Sequence, residues 1–177
     1  MESAFNWNRP TAIRYPNMAT DEPSAPIRQR TLGSAEVLSQ GKEIVIVALG
    51  HMCHTAMSVK EILKKEGIEC TVIDPVFVKP LDSDLFCHVL LSHKYVVTIE
   101  EHALSGGLGM IFNNFILQNK FNHIQVMNFG IPDTFLEQGS HKELVHEIGL
   151  TPETIASQIL QEFATLKIDS LIASSSS

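Results

Sequence analysis

Glu43-Ile44-Val45-Ile46-Val47-Ala48-Leu49-Gly50 is the stretch that decides the fold. Its middle is continuously apolar, which predicts a strand covered on both faces, not one alternating between core and water. Gly50 ends it. Beyond the glycine the period changes. Met52, Ala56, Val59, Ile62 and Leu63 recur at helical spacing, and Gly67 stands where a helix can end in a left-handed residue. A buried strand followed at once by an amphipathic helix is the start of a β-α-β crossover.

The alternation continues on both sides. Upstream, 36–39 reads as a short strand, set off by the turn Gln40-Gly41. Downstream, 69–74 is a strand stopped by Pro75, and Asp82 is a good cap for a helix over 83–92. Residues 95–100 form another buried strand, Ser105-Gly106-Gly107-Leu108-Gly109 opens a helix to about 119, and 124–128 is the last strand. Ser140-His141-Lys142-Glu143 fits the capping box S-x-x-E. Thr151-Pro152-Glu153 starts the final helix with threonine at the cap and proline at the first position. The pattern predicts an α/β three-layer sandwich, with about five strands in a mostly parallel sheet and helices on both faces.

The two ends differ from this. Residues 1–30 hold four of the eight prolines and no sustained helical period. Within them, Thr11-Ala12-Ile13-Arg14-Tyr15 reads as a short strand ended by Pro16, and 17–26 as an extended, proline-rich linker. A lone strand is not a domain. The expected division is therefore 1–30 as the tail end of a preceding domain plus linker, 31–168 as the α/β domain, and 169–177 as a polar, disordered tail.

Composition excludes several classes. Hydrophobic residues make up 44% and fall in short runs, as a packed core requires. The runs are far short of the roughly 20 residues that cross a bilayer, and no basic-then-apolar leader opens the chain, so no membrane partner and a cytoplasmic location are expected. Net charge is −7, with 13 Lys and Arg against 20 Asp and Glu and no basic stripe, which argues against nucleic acid. Cys53, Cys70 and Cys87 lack paired short spacing and read as reduced, buried thiols.

Four features are candidates for chemistry. The Gly106-Gly107-Leu108-Gly109 loop lies where a phosphate meets helix amides, but it lacks the G-x-G-x-x-G spacing, and close packing of helix on sheet is the favoured reading. His51 with His54, and His141 with His146, sit on common helices without H-E-x-x-H or C-x-x-C support, so no metal site is expected. Glu100, Glu101 and His102 follow a strand, where open sheets place ligands. With no paired nucleophile or electrophile, hydrogen bonding at a subunit interface is favoured over acid–base work. Arg14 offers a guanidinium suited to a phosphate or carboxylate, though from spacing alone a surface salt bridge is the favoured reading.

Ala12-Ile13-Arg14-Tyr15-Pro16, Val47-Ala48-Leu49-Gly50, Phe77-Val78-Lys79-Pro80-Leu81-Asp82, Thr98-Ile99-Glu100-Glu101-His102 and Gly106-Gly107-Leu108-Gly109 occur in that order. Gly130-Ile131-Pro132-Asp133-Thr134-Phe135-Leu136-Glu137-Gln138-Gly139-Ser140 and Gly149-Leu150-Thr151 follow. The set resembles the end of the 1-deoxy-D-xylulose-5-phosphate synthase family, within the transketolase superfamily. Transketolase and the beta subunit of the pyruvate dehydrogenase first component share the fold, and the I-P-D-x-F-x-x-Q-G-S run favours the synthase.

For an intact enzyme the resemblance implies a homodimeric transferase that condenses pyruvate with glyceraldehyde 3-phosphate, releasing carbon dioxide, for isoprenoid synthesis. It implies thiamine diphosphate, whose thiazolium is the electron sink, and magnesium on the diphosphate. No G-D-G metal motif occurs in this chain. Catalytic, cofactor-binding and metal residues are therefore expected in the preceding domains, with no cofactor bound to this chain, which is expected to be inactive alone and to serve structure and dimerisation. Arg14 alone carries over, as a contact to the aldehyde's phosphate. Where the family often has a second basic residue after R-Y-P, this chain has Asn17. The rival readings are a free-standing assembly or ligand-binding module, and the small subunit of a split transketolase.

Overall fold

A computed structural model describes residues 2–15 and 28–175, with side chains as far as Phe163. The linker expected over 17–26 lies outside the described residues. The elements in chain order are α1 (Glu2–Asn6), β1 (Glu36–Ser39), β2 (Ile44–Ala48), α2 (Met52–Lys65), β3 (Cys70–Asp74), α3 (Ser83–Leu90), β4 (Tyr95–Ala103), α4 (Leu108–Gln118), β5 (Gln125–Ile131), α5 (His141–Glu147) and α6 (Pro152–Ser175).

Five strands form one sheet in the order β1-β3-β2-β4-β5, with β1 antiparallel and the other neighbours parallel. β2 is central, and its five residues are all buried, as a strand covered on both faces must be. Alternate residues feed two cores. Ile44, Ile46, Val97 and Ile99 pack under α2 and α6, while Val45, Val47 and Val96 pack under α3 and α4 with Phe86 and Phe112. Helices on both faces of a mostly parallel sheet make the three-layer α/β sandwich that the alternation of periods predicts.

The end signals work as expected. Asp82 Oδ1 accepts the Leu85 N–H at 3.0 Å, Gly67 takes φ +80 just beyond α2, and Ser140 and Glu143 form both halves of the capping box. Other expectations need correction. Thr11 to Tyr15 form no strand, because no neighbouring strand lies beside them among the described residues. α1 had no signal in the sequence. The tail expected to be disordered from 169 is helical through Ser175, since each residue added to an existing helix gains a hydrogen bond without a new nucleus.

The arrangement positions a site. The chain leaves β2 through α2 on one face and leaves β4 through α4 on the other. β2 and β4 are neighbours, so their carboxyl ends flank the crevice where the winding reverses.

Candidate functional site

A cleft of about 1180 Å³ opens at that crevice. One wall is the end of β4 with the turn after β2, and the other includes residues of the N-terminal segment from Ser3 to Tyr15. The segment is held by side chains: Ser3 Oγ accepts the Arg30 N–H at 2.8 Å, and the Trp7 and Phe77 rings meet with centroids 5.3 Å apart. Along the floor, Asp74 Oδ1 accepts the Val76 N–H at 2.8 Å, with Val76 at φ +55, an unusual conformation for a β-branched residue. Burial pushes the Asp74 carboxyl above its ordinary value, and the Val76 N–H opposes that shift.

β4 runs three residues beyond the expected 95–100, so Glu101 and His102 lie within the strand with Glu100 and not after it. Ala103 still pairs with Ile131, and the register shifts between Ile99 and Ala103. The two glutamates have opposite fates. Glu100 is 1% exposed, and its carboxylate accepts the Leu108 N–H at 2.7 Å and the Gly109 N–H at 2.8 Å. It thus caps the first turn of α4, where a negative charge also meets the positive end of the helix dipole. The interface role expected for Glu100 is not what this contact provides: both oxygens are engaged inside the domain.

The same contacts explain the glycine loop. A Cβ on Gly107 would lie 2.5 Å from Glu100 Oε1 and 2.6 Å from the Ala103 carbonyl, and one on Gly109 would meet the Asn128 side chain at 2.9 Å. The glycines admit close approach, and the amides a phosphate would use at Leu108 and Gly109 already hold Glu100.

Glu101 points the other way, into the cleft. Its Oε1 is 2.5 Å from His141 Nε2, and its Oε2 lies against His51 Nε2. The pairs close in sequence, His51 with His54 and His141 with His146, are not what the fold assembles. It brings His51, Glu101 and His141 together, with one donor atom from each within 4.8 Å of the others. His102 lines the same cleft, with Nδ1 3.0 Å from the Ala103 carbonyl. Arg14 arrives from the opposite wall, exposed, and its Nη2 donates to the Glu101 carbonyl at 3.0 Å. Only the fold joins these residues, since they lie on four separate stretches of chain.

Away from the cleft, His93 is held structurally. His93 is 7% exposed, with Nε2 3.1 Å from Thr71 Oγ1 and Nδ1 2.9 Å from the Val89 carbonyl. The three cysteines are free thiols. Burial pushes both Cys53 and Cys70 up to about 12, which makes them poor nucleophiles.

A doubly covered, mostly parallel sheet whose last helix packs back on α2, with a cleft at the winding reversal, defines the class. The chain belongs to the family described as "Transketolase, C-terminal domain", whose profile matches residues 33–155. Its sequence is similar to the 1-deoxy-D-xylulose-5-phosphate synthases of Chlamydia pneumoniae, 46% identical over 165 residues, and of Chlamydia felis, 44% identical over 167. These alignments take in 91% and 92% of this chain but 26% of each relative, so the chain spans about a quarter of the length of the curated relatives it matches. Among solved structures it resembles a "Split gene transketolase, inactive beta4 tetramer", with TM-score 0.72 and 30% identity over 80% of this chain and 46% of that one. A transketolase from Pichia stipitis shares the fold at 21% identity, with TM-score 0.55 over 75% of this chain and 18% of that chain. No helix among the described residues is long and apolar enough to cross a membrane.

Proposed function

We propose that the chain is the carboxy-terminal domain of a thiamine-diphosphate-dependent 1-deoxy-D-xylulose-5-phosphate synthase, a transketolase-type transferase of the cytoplasm. The intact enzyme condenses pyruvate with glyceraldehyde 3-phosphate to 1-deoxy-D-xylulose 5-phosphate and carbon dioxide. In this reading the residues ahead of 31 are the end of the preceding domain. The α/β domain from there to 168 is scaffold and dimer-forming surface, silent without its neighbours.

The observation that carries the reading is Arg14. Its guanidinium stands at the mouth of the cleft and is steadied through one N–H by the Glu101 carbonyl, with further donors left for a phosphate. Exposed aromatic rings on segments bordering the cleft, Tyr15 and Phe135 among them, support packing against a neighbouring domain.

The described residues do not fit the cofactor itself. Magnesium takes an octahedron of oxygens. The cluster at the cleft offers two imidazoles and one carboxylate, and the first-turn amides of α4 are committed to Glu100. In this reading the diphosphate and its ion belong to other parts of the enzyme, and no step of the reaction is assigned to residues here. The similarity to a split-gene transketolase described as an inactive β4 tetramer supports silence of the isolated piece.

Calorimetric titration of the chain with thiamine diphosphate and magnesium tests the placement: no saturable heat and no pyruvate decarboxylation are expected. Tight binding would overturn it. Co-expression with the remaining three quarters of the Chlamydia pneumoniae synthase should then restore turnover. Arg14→Ala should raise KM for the aldehyde phosphate at least ~10-fold, as loss of a charged hydrogen bond predicts, and leave pyruvate unaffected. An unchanged KM would remove Arg14 from the substrate site.

A further inference from the structure

We propose that His51, Glu101 and His141 form a binding site for a late first-row divalent cation such as zinc, at the winding reversal of the sheet. The inference is independent of the synthase reading, because it rests on donor atoms and not on the reaction.

Three separate elements supply the donors. His51 sits in the turn between β2 and α2, Glu101 in β4, and His141 at the first position of α5, whose start is fixed by the Ser140–Glu143 capping box. The donor atoms all lie within 4.8 Å of one another, and the His51 and His141 rings are 6.0 Å apart between centroids. Bonds of ~2.0–2.2 Å place the ligand atoms of a tetrahedral ion roughly 3.3 Å apart, so small side-chain rotations suffice to seat one. Two imidazoles and one carboxylate are the ligand types of zinc sites that keep a fourth position open, and imidazole nitrogen selects against magnesium and calcium.

His51 gives the second observation. Its Nε2 is buried and meets Glu101 Oε2 in an ion-pair contact, without a hydrogen bond of good geometry. The nitrogen and the carboxylate oxygens thus converge on one point, as the donors around an ion do. The side chains are 29%, 24% and 44% exposed for His51, Glu101 and His141, which leaves an ion a path in from the cleft. Arg14, bonded to the Glu101 carbonyl, stands beside the open position, where it would favour an anion as the fourth ligand.

The test uses the full chain stripped of metal with a chelator. Zinc chloride titrated by calorimetry should bind one equivalent with a dissociation constant below ~10 μM, about 7 kcal/mol. Cobalt(II) should give the visible absorption of a four-coordinate nitrogen–oxygen site, without the intense charge-transfer band that thiolate ligation by a cysteine would produce. His51→Gln, Glu101→Gln and His141→Gln should each weaken zinc by at least ~100-fold, the upper end of what losing even an outer partner costs. His54→Gln and His146→Gln, outside the cluster, should leave it within about threefold. No saturable zinc binding below about 100 μM would show that the triad is an ion-paired cluster and overturn the proposal. So would affinity retained in the His51→Gln/His141→Gln double variant, or equal affinity for magnesium.

Discussion

Replacing Glu100 by glutamine changes one oxygen to an NH₂ group and leaves the side chain's shape alone. Each carboxylate oxygen accepts one amide of α4, at 2.7 Å from Leu108 and 2.8 Å from Gly109. Glutamine can accept only one of these; its NH₂ would face the other N–H, donor against donor. A buried donor left unpaired costs ~1–3 kcal/mol, and the surviving bond drops from charge-assisted to neutral, a further loss of ~1 kcal/mol. The lost charge at the helix N-terminus adds ~0.3–1 kcal/mol. Against this, glutamine removes the cost of holding a charge at 1% exposure, which offsets part of the loss. The net expectation is destabilisation by about 3 kcal/mol. For 177 residues this lowers Tm by roughly 6–12 °C.

Urea denaturation followed by circular dichroism measures the global term. Amide hydrogen exchange at Leu108 and Gly109 measures the local one, and protection there should fall more than in β2. The control is Glu101→Gln, one residue along the strand with its side chain in the cleft, expected to cost less than ~1 kcal/mol as an exposed pair does. If Glu100→Gln shifted stability by less than about 0.5 kcal/mol, or no more than Glu101→Gln did, Glu100 would not be the anchor of α4.

Gly109→Ala would press a Cβ to 2.9 Å from the Asn128 side chain and 3.0 Å from Thr98 Oγ1, so about 1–3 kcal/mol should be lost to overpacking; unchanged stability in urea would mean the strands give way freely. Cys53 and Cys70, raised to about 12 by burial, should resist iodoacetamide at pH 8 and label at the unfolding rate, which peptide mass spectrometry resolves; labelling of the native protein as fast as a free thiol would contradict their burial. Asp74 holds its proton more tightly folded than unfolded, so its contribution to stability falls as pH rises through the range above its ordinary value of 3.8. Asp74→Asn, still able to accept the Val76 N–H, should therefore be more stable than the parent at pH 7, with the gap closing towards pH 3, and a gap independent of pH would refute the burial argument.

Most of the fold was legible because its signals are local. The apolar run at Ile44, the helical period after Met52, the Asp82 cap and the capping box at Ser140 each depend on a few adjacent residues, and each appears in the structure. Less legible was anything whose cause lies elsewhere in the chain. The strand expected at Thr11 had the right residues but finds no neighbour among the described residues, and β4 extends to Ala103 because β5 is there to pair with it. Arg14 gained its phosphate role through resemblance, and the fold places its guanidinium against the Glu101 carbonyl, a contact 87 residues away in sequence.

The Glu100-Glu101-His102 run shows why the site resisted reading. Taken as a unit it suggested one role, but successive strand residues point to opposite faces. Val96 packs toward α4, and Thr98 and Glu100 also lie on that side, where the glycines at 107 and 109 come closest; Val97 and Ile99 face α2 and α6, and Glu101 continues that side into the cleft. One carboxylate thus serves the fold and its neighbour faces the ligands. His51 and His141 reach Glu101 because the chain that leaves β2 and the chain that returns after β5 both pass the carboxyl end of the sheet on that face. The spacing of His51 to His54 held no information about this, since His54 lies a turn further along α2 and away from the crevice. Donors gathered at a winding reversal are set by topology, so they become visible only once the strand order is known.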